Sequence, residues 1–360
     1  MTDLYAAQTS VSRSAEQPWH YRVLPMSHAR SNLPRLLHGL GTNPLPRYLH
    51  RLASVGLEFT LSSILDRLAP LRAAPLEVEP GSQLPQSAAF ALYLHWSPDG
   101  RISPLVRRQI SLWQQCGFGV VFLSNTSPPK RDWDAISADT VLRVRRSNIG
   151  RDFGAWRDGL RLVNERFGPP QEVLLANDSV LGPFLPLHPL IDAWRAGGDG
   201  LFGLTESFAG TPHLQSYALL VRGTGPIATL AAHLADLPNS RSKWRLVQRG
   251  EIALSHRMRV EGHFCGALFD YPTLCGLVNE ESRRALGPRF NRPEALLHYP
   301  LNPTIHLWQQ LITGAGFPFL KRELFRRMPD TYSPNALWRA LLPPGEAVLI
   351  EEHMRMMGTV

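Results

Sequence analysis

Ala88-Ala-Phe-Ala-Leu-Tyr-Leu94, closed by the polar residues His95-Trp96-Ser97, is the stretch on which the fold turns. Seven apolar residues are too few for a helix, and an unbroken run of this length suits a strand covered on both faces. The same order, an apolar run followed by polar residues, recurs downstream. Phe118–Leu123 leads into Ser124-Asn125-Thr126, Thr140–Val144 into the segment from Ser147 to Asp152, Val173–Ala176 into Asn177-Asp178-Ser179, and Gly200–Leu204 into Thr205-Glu206. Ser216–Val221 is a sixth run. Segments of helical period lie between them: Leu105–Trp113, Pro189–Ala196, and Asp152–Phe167 with Phe153, Trp156, Leu160 and Val163 on one face. Alternating strands and helices predict an α/β fold, a mainly parallel sheet with helices on both faces. In such sheets ligands bind beyond the carboxyl ends of the strands, so the polar segments mark one edge as the expected site. Asn, Asp, Ser and Gly also favour turns for conformational reasons alone.

Working outward, residues 88–330 form the expected α/β domain. Residues 1–18 are polar and aperiodic and read as a mobile tail. Residues 19–72 read as a helical segment, because leucines recur at helical spacing from Leu33 to Leu71 with a break at Gly41-Thr42-Asn43-Pro44. Arg35, His38, Arg47, His50 and Arg51 are interspersed with those leucines. Either the segment packs as a hairpin on the next domain, or its basic amphipathic surface makes peripheral contact with an anionic membrane. Residues 73–87 (APLEVEPGSQLPQS with its preceding Ala) look like a linker, and residues 331–360 are a C-terminal extension.

Composition narrows the classes. The chain has 360 residues and three cysteines, Cys116, Cys265 and Cys275, at spacings that suit neither a disulfide framework nor a CxxC metal site. No secretory leader and no membrane-spanning run is visible, so the expected location is the cytoplasm, with the inner face of the membrane as a peripheral option. The formal charge is +8, and Lys130, Lys243 and Lys321 are the lysines in an arginine-dominated set of 38 basic residues. Guanidinium forks suit phosphate and carboxylate. The arginines scatter without a basic aromatic stripe, so no nucleic-acid partner is expected.

Four segments carry chemistry. In Ser147–Asp152 a strand ends, Gly150 permits a tight turn and a helix begins. A helix start favours phosphate, with Arg151 able to fork onto it, while Asp152 either caps the helix or meets a ribose or base. Asp178, between Asn177 and Ser179, is a single carboxylate at a strand end, suited to a hard divalent cation or to a turn. Glu251 opens a short helix over Ile252–Gly262, where the macrodipole alone would favour an acid. The other reading makes it a general base. His306, in the helix opened by Asn302-Pro303-Thr304, is a core histidine, a metal ligand or a phosphate contact, and Lys321 is a helix start or a phosphate contact.

These residues resemble the rhamnan synthesis protein F family of bacterial cell-surface polysaccharide assembly. The matching blocks are Asn148–Trp156, Asn177-Asp178-Ser179 with Gly182-Pro183, and His213–Tyr217. They continue with Glu251 in GEIALSHRMRVEG, Asn302-Pro303-Thr304 with His306 and Trp308, and Pro318–Glu323. The resemblance implies a Rossmann-like A-type glycosyltransferase fold. It further implies inverting transfer of a sugar, rhamnose or a related deoxysugar, from a nucleoside diphosphate sugar to a cell-surface glycan or lipid-linked acceptor. The expected donor-binding residues are His95, Trp96, Asn125, Asn148, Gly150, Arg151, Asp152, Asn177, Ser179 and Lys321. Glu206, His213 and Gln215 would line the acceptor side, and Glu251 would be the base. The usual Asp-x-Asp is replaced by Asn177-Asp178-Ser179. Asp178, with His306, therefore holds Mg²⁺ or Mn²⁺ with fewer protein ligands, or Asp178 hydrogen-bonds the donor directly. The competing expectation is a non-catalytic relative that binds a glycan or scaffolds an assembly pathway.

Overall fold

A computed structural model describes residues 19–26, 56–62, 64–66, 68, 71, 76–208, 211–240, 242–327 and 334–358. The expected mobile tail, the Gly41–Pro44 break and most of the leucine-rich stretch lie outside the described residues. Within that stretch, residues 56–62 and 64–66 are helical.

The strands are β1 (Leu24–Pro25), β2 (Glu77–Pro80), β3 (Ala89–His95), β4 (Gly119–Ser124), β5 (Leu142–Arg145) and β6 (Glu172–Asn177). They continue with β7 (Val180–Leu181), β8 (Gly200–Ser207), β9 (His213–Leu214), β10 (Ala218–Arg222), β11 (Cys265–Phe269) and β12 (Leu320–Lys321). The main sheet runs β1-β11-β8-β10-β6-β3-β4-β5-β2, with β9 added alongside β8. The neighbours β6, β3, β4 and β5 are parallel, β10 is antiparallel to both β6 and β8, and β11 is parallel to β8. Six long strands therefore point one way and β10 points back. The expected α/β architecture is present.

Period-two alternation along β3 explains why the sheet needs helices on both sides. Ala89, Ala91 and Tyr93 face one core with Ile110 and Trp113 of α1 (Pro104–Gln115). Phe90, Leu92 and Leu94 face the other with Trp156, Leu160 and Val163 of α2 (Arg151–Phe167). Trp156 also donates Nε1–H to Leu92 O at 3.1 Å, which satisfies the indole inside the core. α3 (His188–Ala196) joins the first core and α4 (Thr224–Asp236) the second.

Two segments differ from expectation. Residues 73–87 are more than a linker: Glu77–Pro80 pairs antiparallel with β5, and Glu79 and Glu77 meet Arg145 at 2.9 and 3.4 Å. Part of the 19–72 segment is strand, since Leu24–Pro25 forms the opposite edge on β11. The C-terminal extension belongs to the body of the fold. Trp338, Leu342, Ile350 and Met354 pack with Leu105, Leu181, Phe184 and Leu320 in a third core under the small β7–β12 sheet.

Candidate functional site

The carboxyl edge collects the end of β6, the loop before α2, the chain entering β10, and β12. Asp152, Asn177, Ser179 and Lys321 form one hydrogen-bonded chain there. Lys321 Nζ donates to Ser179 Oγ at 2.7 Å, and Ser179 Oγ donates to Asn177 Oδ1 at 2.5 Å. Asn177 Nδ2 in turn donates to Asp152 Oδ2 at 2.9 Å. Lys321 Nζ also stands 4.4 Å from the centre of the Tyr217 ring, a cation–π distance. Burial pulls the Lys321 ammonium down to about 8, against the opposing pull of Glu251 and Asp152. Burial raises the Asp152 carboxyl above its ordinary range and the neighbouring Asp178 charge raises it further, while Lys321 and the Asn177 bond work the other way.

Asp178 is buried, and its Oδ2 accepts the Trp96 backbone N–H at 2.8 Å. Arg322 Nη1 lies 4.0 Å from its Oδ1. The Trp96 ring itself is 39% exposed, a large flat surface at the end of β3.

Glu251 and Lys321 act on each other's charge. Glu251 Oε2 accepts from Ser216 Oγ at 2.6 Å and its Oε1 lies 3.3 Å from His213 Nε2. His213 Nδ1 faces Thr211 O at 2.7 Å, so both ring nitrogens point at oxygen acceptors. Burial pushes the Glu251 carboxyl up, but the His213 bond and charge, Ser216 and Lys321 together hold it below the usual range. Glu251 is therefore ionised at neutral pH and able to take a proton. It does not open a helix, as its spacing suggested. It lies in a π-helical turn, Val247–Ile252, between Lys243–Leu246 and α5 (Ala253–Val260). Such turns aim side chains out of the regular ladder and recur at functional sites.

The loop before α2 is pinned from below. Buried Arg146 donates Nε–H to Asp158 Oδ2 at 3.1 Å and Nη2–H to Ile149 O at 2.7 Å, and its Nη1 bonds Asn125 Oδ1. Asn125 Nδ2 then donates to Asn148 Oδ1 at 2.9 Å. Gly150 (φ 73°) and Arg151 (φ 49°) are both left-handed, and Arg151 is the non-glycine residue with positive φ among the described residues.

Four other expected site residues make hydrogen bonds within the fold. His95 is buried, with Nδ1 3.2 Å from Ser124 Oγ and Nε2 3.2 Å from Arg101 O, so its ring supports the strand end from inside. Glu206 is fully buried and its Oε1 accepts the Tyr271 N–H at 2.9 Å, at the start of the helix Tyr271–Gly276. Gln215 bridges Thr205 Oγ1 (2.7 Å) and Asn302 Oδ1 (3.4 Å). His306 turns Nδ1 to Asn302 O at 3.1 Å. Among the described residues no group of three His, Cys, Asp or Glu side chains is spaced to hold a metal. Ser216, Tyr217 and Arg322 are site residues that the sequence reading did not single out. The first two lie at the amino end of β10, which reaches this edge only because β10 runs backwards.

No family model matches the chain. It is 29% identical over 192 residues to the uncharacterized protein y4gN of Sinorhizobium fredii, covering 51% of this chain and 49% of that one. It is 26% identical over 200 residues to the virulence protein VirA of Vibrio anguillarum, covering 52% and 64%. The chain thus spans about half to just under two thirds of the curated relatives it matches. A solved structure of a candidate nucleotide-diphospho-sugar transferase from Desulfovibrio desulfuricans superimposes with a TM-score of 0.33 at 12% identity, covering 64% of this chain and 99% of that one. A likeness at that level leaves function to be argued from the side chains. Among the described residues no helix is long and apolar enough to cross a membrane.

Proposed function

We propose that this chain transfers a glycosyl group from a nucleoside diphosphate sugar to a hydroxyl acceptor with inversion. The observation that carries this reading is that Asp152 and Glu251 both act on the Lys321 ammonium at the carboxyl edge of the sheet, with Asp178 beside Asp152. Acids far apart in sequence meet one buried ammonium where an α/β sheet binds ligands. The Asn148–Asp152 turn and Lys321 face the diphosphate, and the exposed Trp96 ring offers a surface for the base. Glu251 takes the proton from the acceptor hydroxyl. The freed oxygen attacks the anomeric carbon, the bond from that carbon to the diphosphate oxygen breaks, and the nucleoside diphosphate leaves with the electron pair. His213 and Ser216 hold Glu251 in place and keep it ionised. The donor sugar, rhamnose or a related deoxysugar, and the cell-surface glycan or lipid-linked acceptor are what the family resemblance implies.

Glu251→Gln keeps the shape and removes the base. Turnover is expected to fall at least ~100-fold with nucleotide affinity unchanged, the scale of positioned acid–base catalysis. Turnover within a few-fold of the native chain would remove Glu251 from this role.

A further inference from the structure

We propose that Lys321, and not a divalent cation, supplies the positive charge that meets the leaving diphosphate, so that nucleotide binding in this chain is independent of metal. The proposal rests on the glycosyl-transfer reading above. A divalent ion would need hard oxygen ligands that are not already committed, with one or two carboxylates completed by phosphate and water. The donor set here is largely spent on the protein itself. Asp178 Oδ2 holds the Trp96 N–H and its Oδ1 faces Arg322, Asp152 Oδ2 holds Asn177, and both Glu251 oxygens face His213 and Ser216.

Two of the three acids already meet a cation: Arg322 Nη1 lies 4.0 Å from Asp178 Oδ1, and Lys321 reaches Asp152 through Ser179 and Asn177. Arg322 Nη1 is buried without a hydrogen-bond acceptor. Exposed Arg151 at the helix start adds one more positive charge to the edge.

Lys321 has what the task requires. One of its three N–H groups is given to Ser179, and the remaining two have no acceptor among the described residues. An ammonium is a compact point charge suited to phosphate oxygens from several angles. Its position is fixed: Leu320 and Lys321 pair with Leu181 and Val180 across β12 and β7, and the Tyr217 ring lies beneath the ammonium.

The test is calorimetric titration of the full chain with UDP, GDP and dTDP, once in excess EDTA and once in Mn²⁺. For the tightest of the three, the dissociation constant is expected to agree within about twofold between the two conditions. Lys321→Ala should weaken it at least ~10-fold, the value of one lost charge-assisted contact, and Lys321→Arg should restore most of it. The native-chain comparison stands even where a variant fails to fold, and thermal melting of each variant identifies that case. Binding seen only with Mn²⁺, or binding untouched in folded Lys321→Ala, overturns the proposal and leaves glycosyl transfer standing. No binding of any nucleotide in either condition overturns the glycosyl-transfer reading itself.

Discussion

Arg151 shows how a single residue carries the site's demands. A left-handed backbone suits glycine, and an L side chain there costs about 1 kcal/mol. Arg151→Gly is therefore expected to raise unfolding stability by about 0.5–1 kcal/mol in urea titration, while weakening nucleoside diphosphate binding in the same preparation. A variant no more stable than the native chain would show that the turn is not strained. At this scale the sequence was a good guide to some residues and silent on others. Asp152, Asp178, Glu251 and Lys321 stand out in one dimension because charged residues beside apolar runs are conspicuous. Ser216 and Tyr217 do not, since a serine and a tyrosine ahead of a strand look like any turn. Their importance follows from the direction of β10, which only pairing partners reveal. His95 and Glu206 are polar residues at strand ends whose hydrogen bonds turn inward, which the sequence does not disclose.

Elements explain where those side chains point. α2 approaches the preceding loop closely because Gly154 lacks a side chain. A Cβ there would lie 2.5 Å from Ile149 O and 3.3 Å from Arg146 Nη2. Gly154→Ala forces backbone apart, so a loss of about 1–3 kcal/mol in chemical unfolding is expected, with weaker nucleotide binding as the Asn148–Arg151 turn shifts. Stability equal to the native value would mean that the loop gives way freely. Six of the longer strands were legible to within about three residues, because buried strands are continuous apolar runs, while Cys265–Phe269 was not read as a strand. The short ones were not legible. Glu77–Pro80 alternates charge and ends in proline, which reads as a linker, and it is a strand because Arg143 and Arg145 across the ladder complement it. Two-residue strands such as β7 and β12 have no period to detect, yet they set Lys321 in place.

At the scale of the whole molecule, several of the described arginines are spent inside the fold. Arg195 and Arg222 share Glu172, Arg108 grips both oxygens of Glu346 at 2.8 Å, and Arg143 reaches Trp133 O at 2.8 Å. The count of +8 is thus no map of an anion-binding surface. The Arg108 contact and a buried histidine tie the last helix, Glu346–Met356, to α1. His353 Nδ1 lies 2.8 Å from Ser103 Oγ, and burial lowers its pKa to about 4. Folded His353 stays neutral while the unfolded chain binds a proton near 6.5. Its contribution is therefore complete above about pH 6.5 and lost as pH falls through 4, roughly 3 kcal/mol over the full range. His353→Leu should flatten the decline in unfolding free energy between pH 6.5 and 4. The flattening is partial, because burial also lowers His95 and His233. An unchanged slope would place the acid sensitivity elsewhere.

The order of assembly along the chain has a consequence for synthesis. Once Phe269 has left the ribosome every strand of the main sheet exists, and domains condense from the amino end as they emerge. Asp152, Asp178 and Glu251 are then all in the chain, but the ammonium of that edge arrives only with β12. A chain that stops after β11 thus holds the acids of that edge without the ammonium, and Lys321 joins them only once β12 has paired with β7.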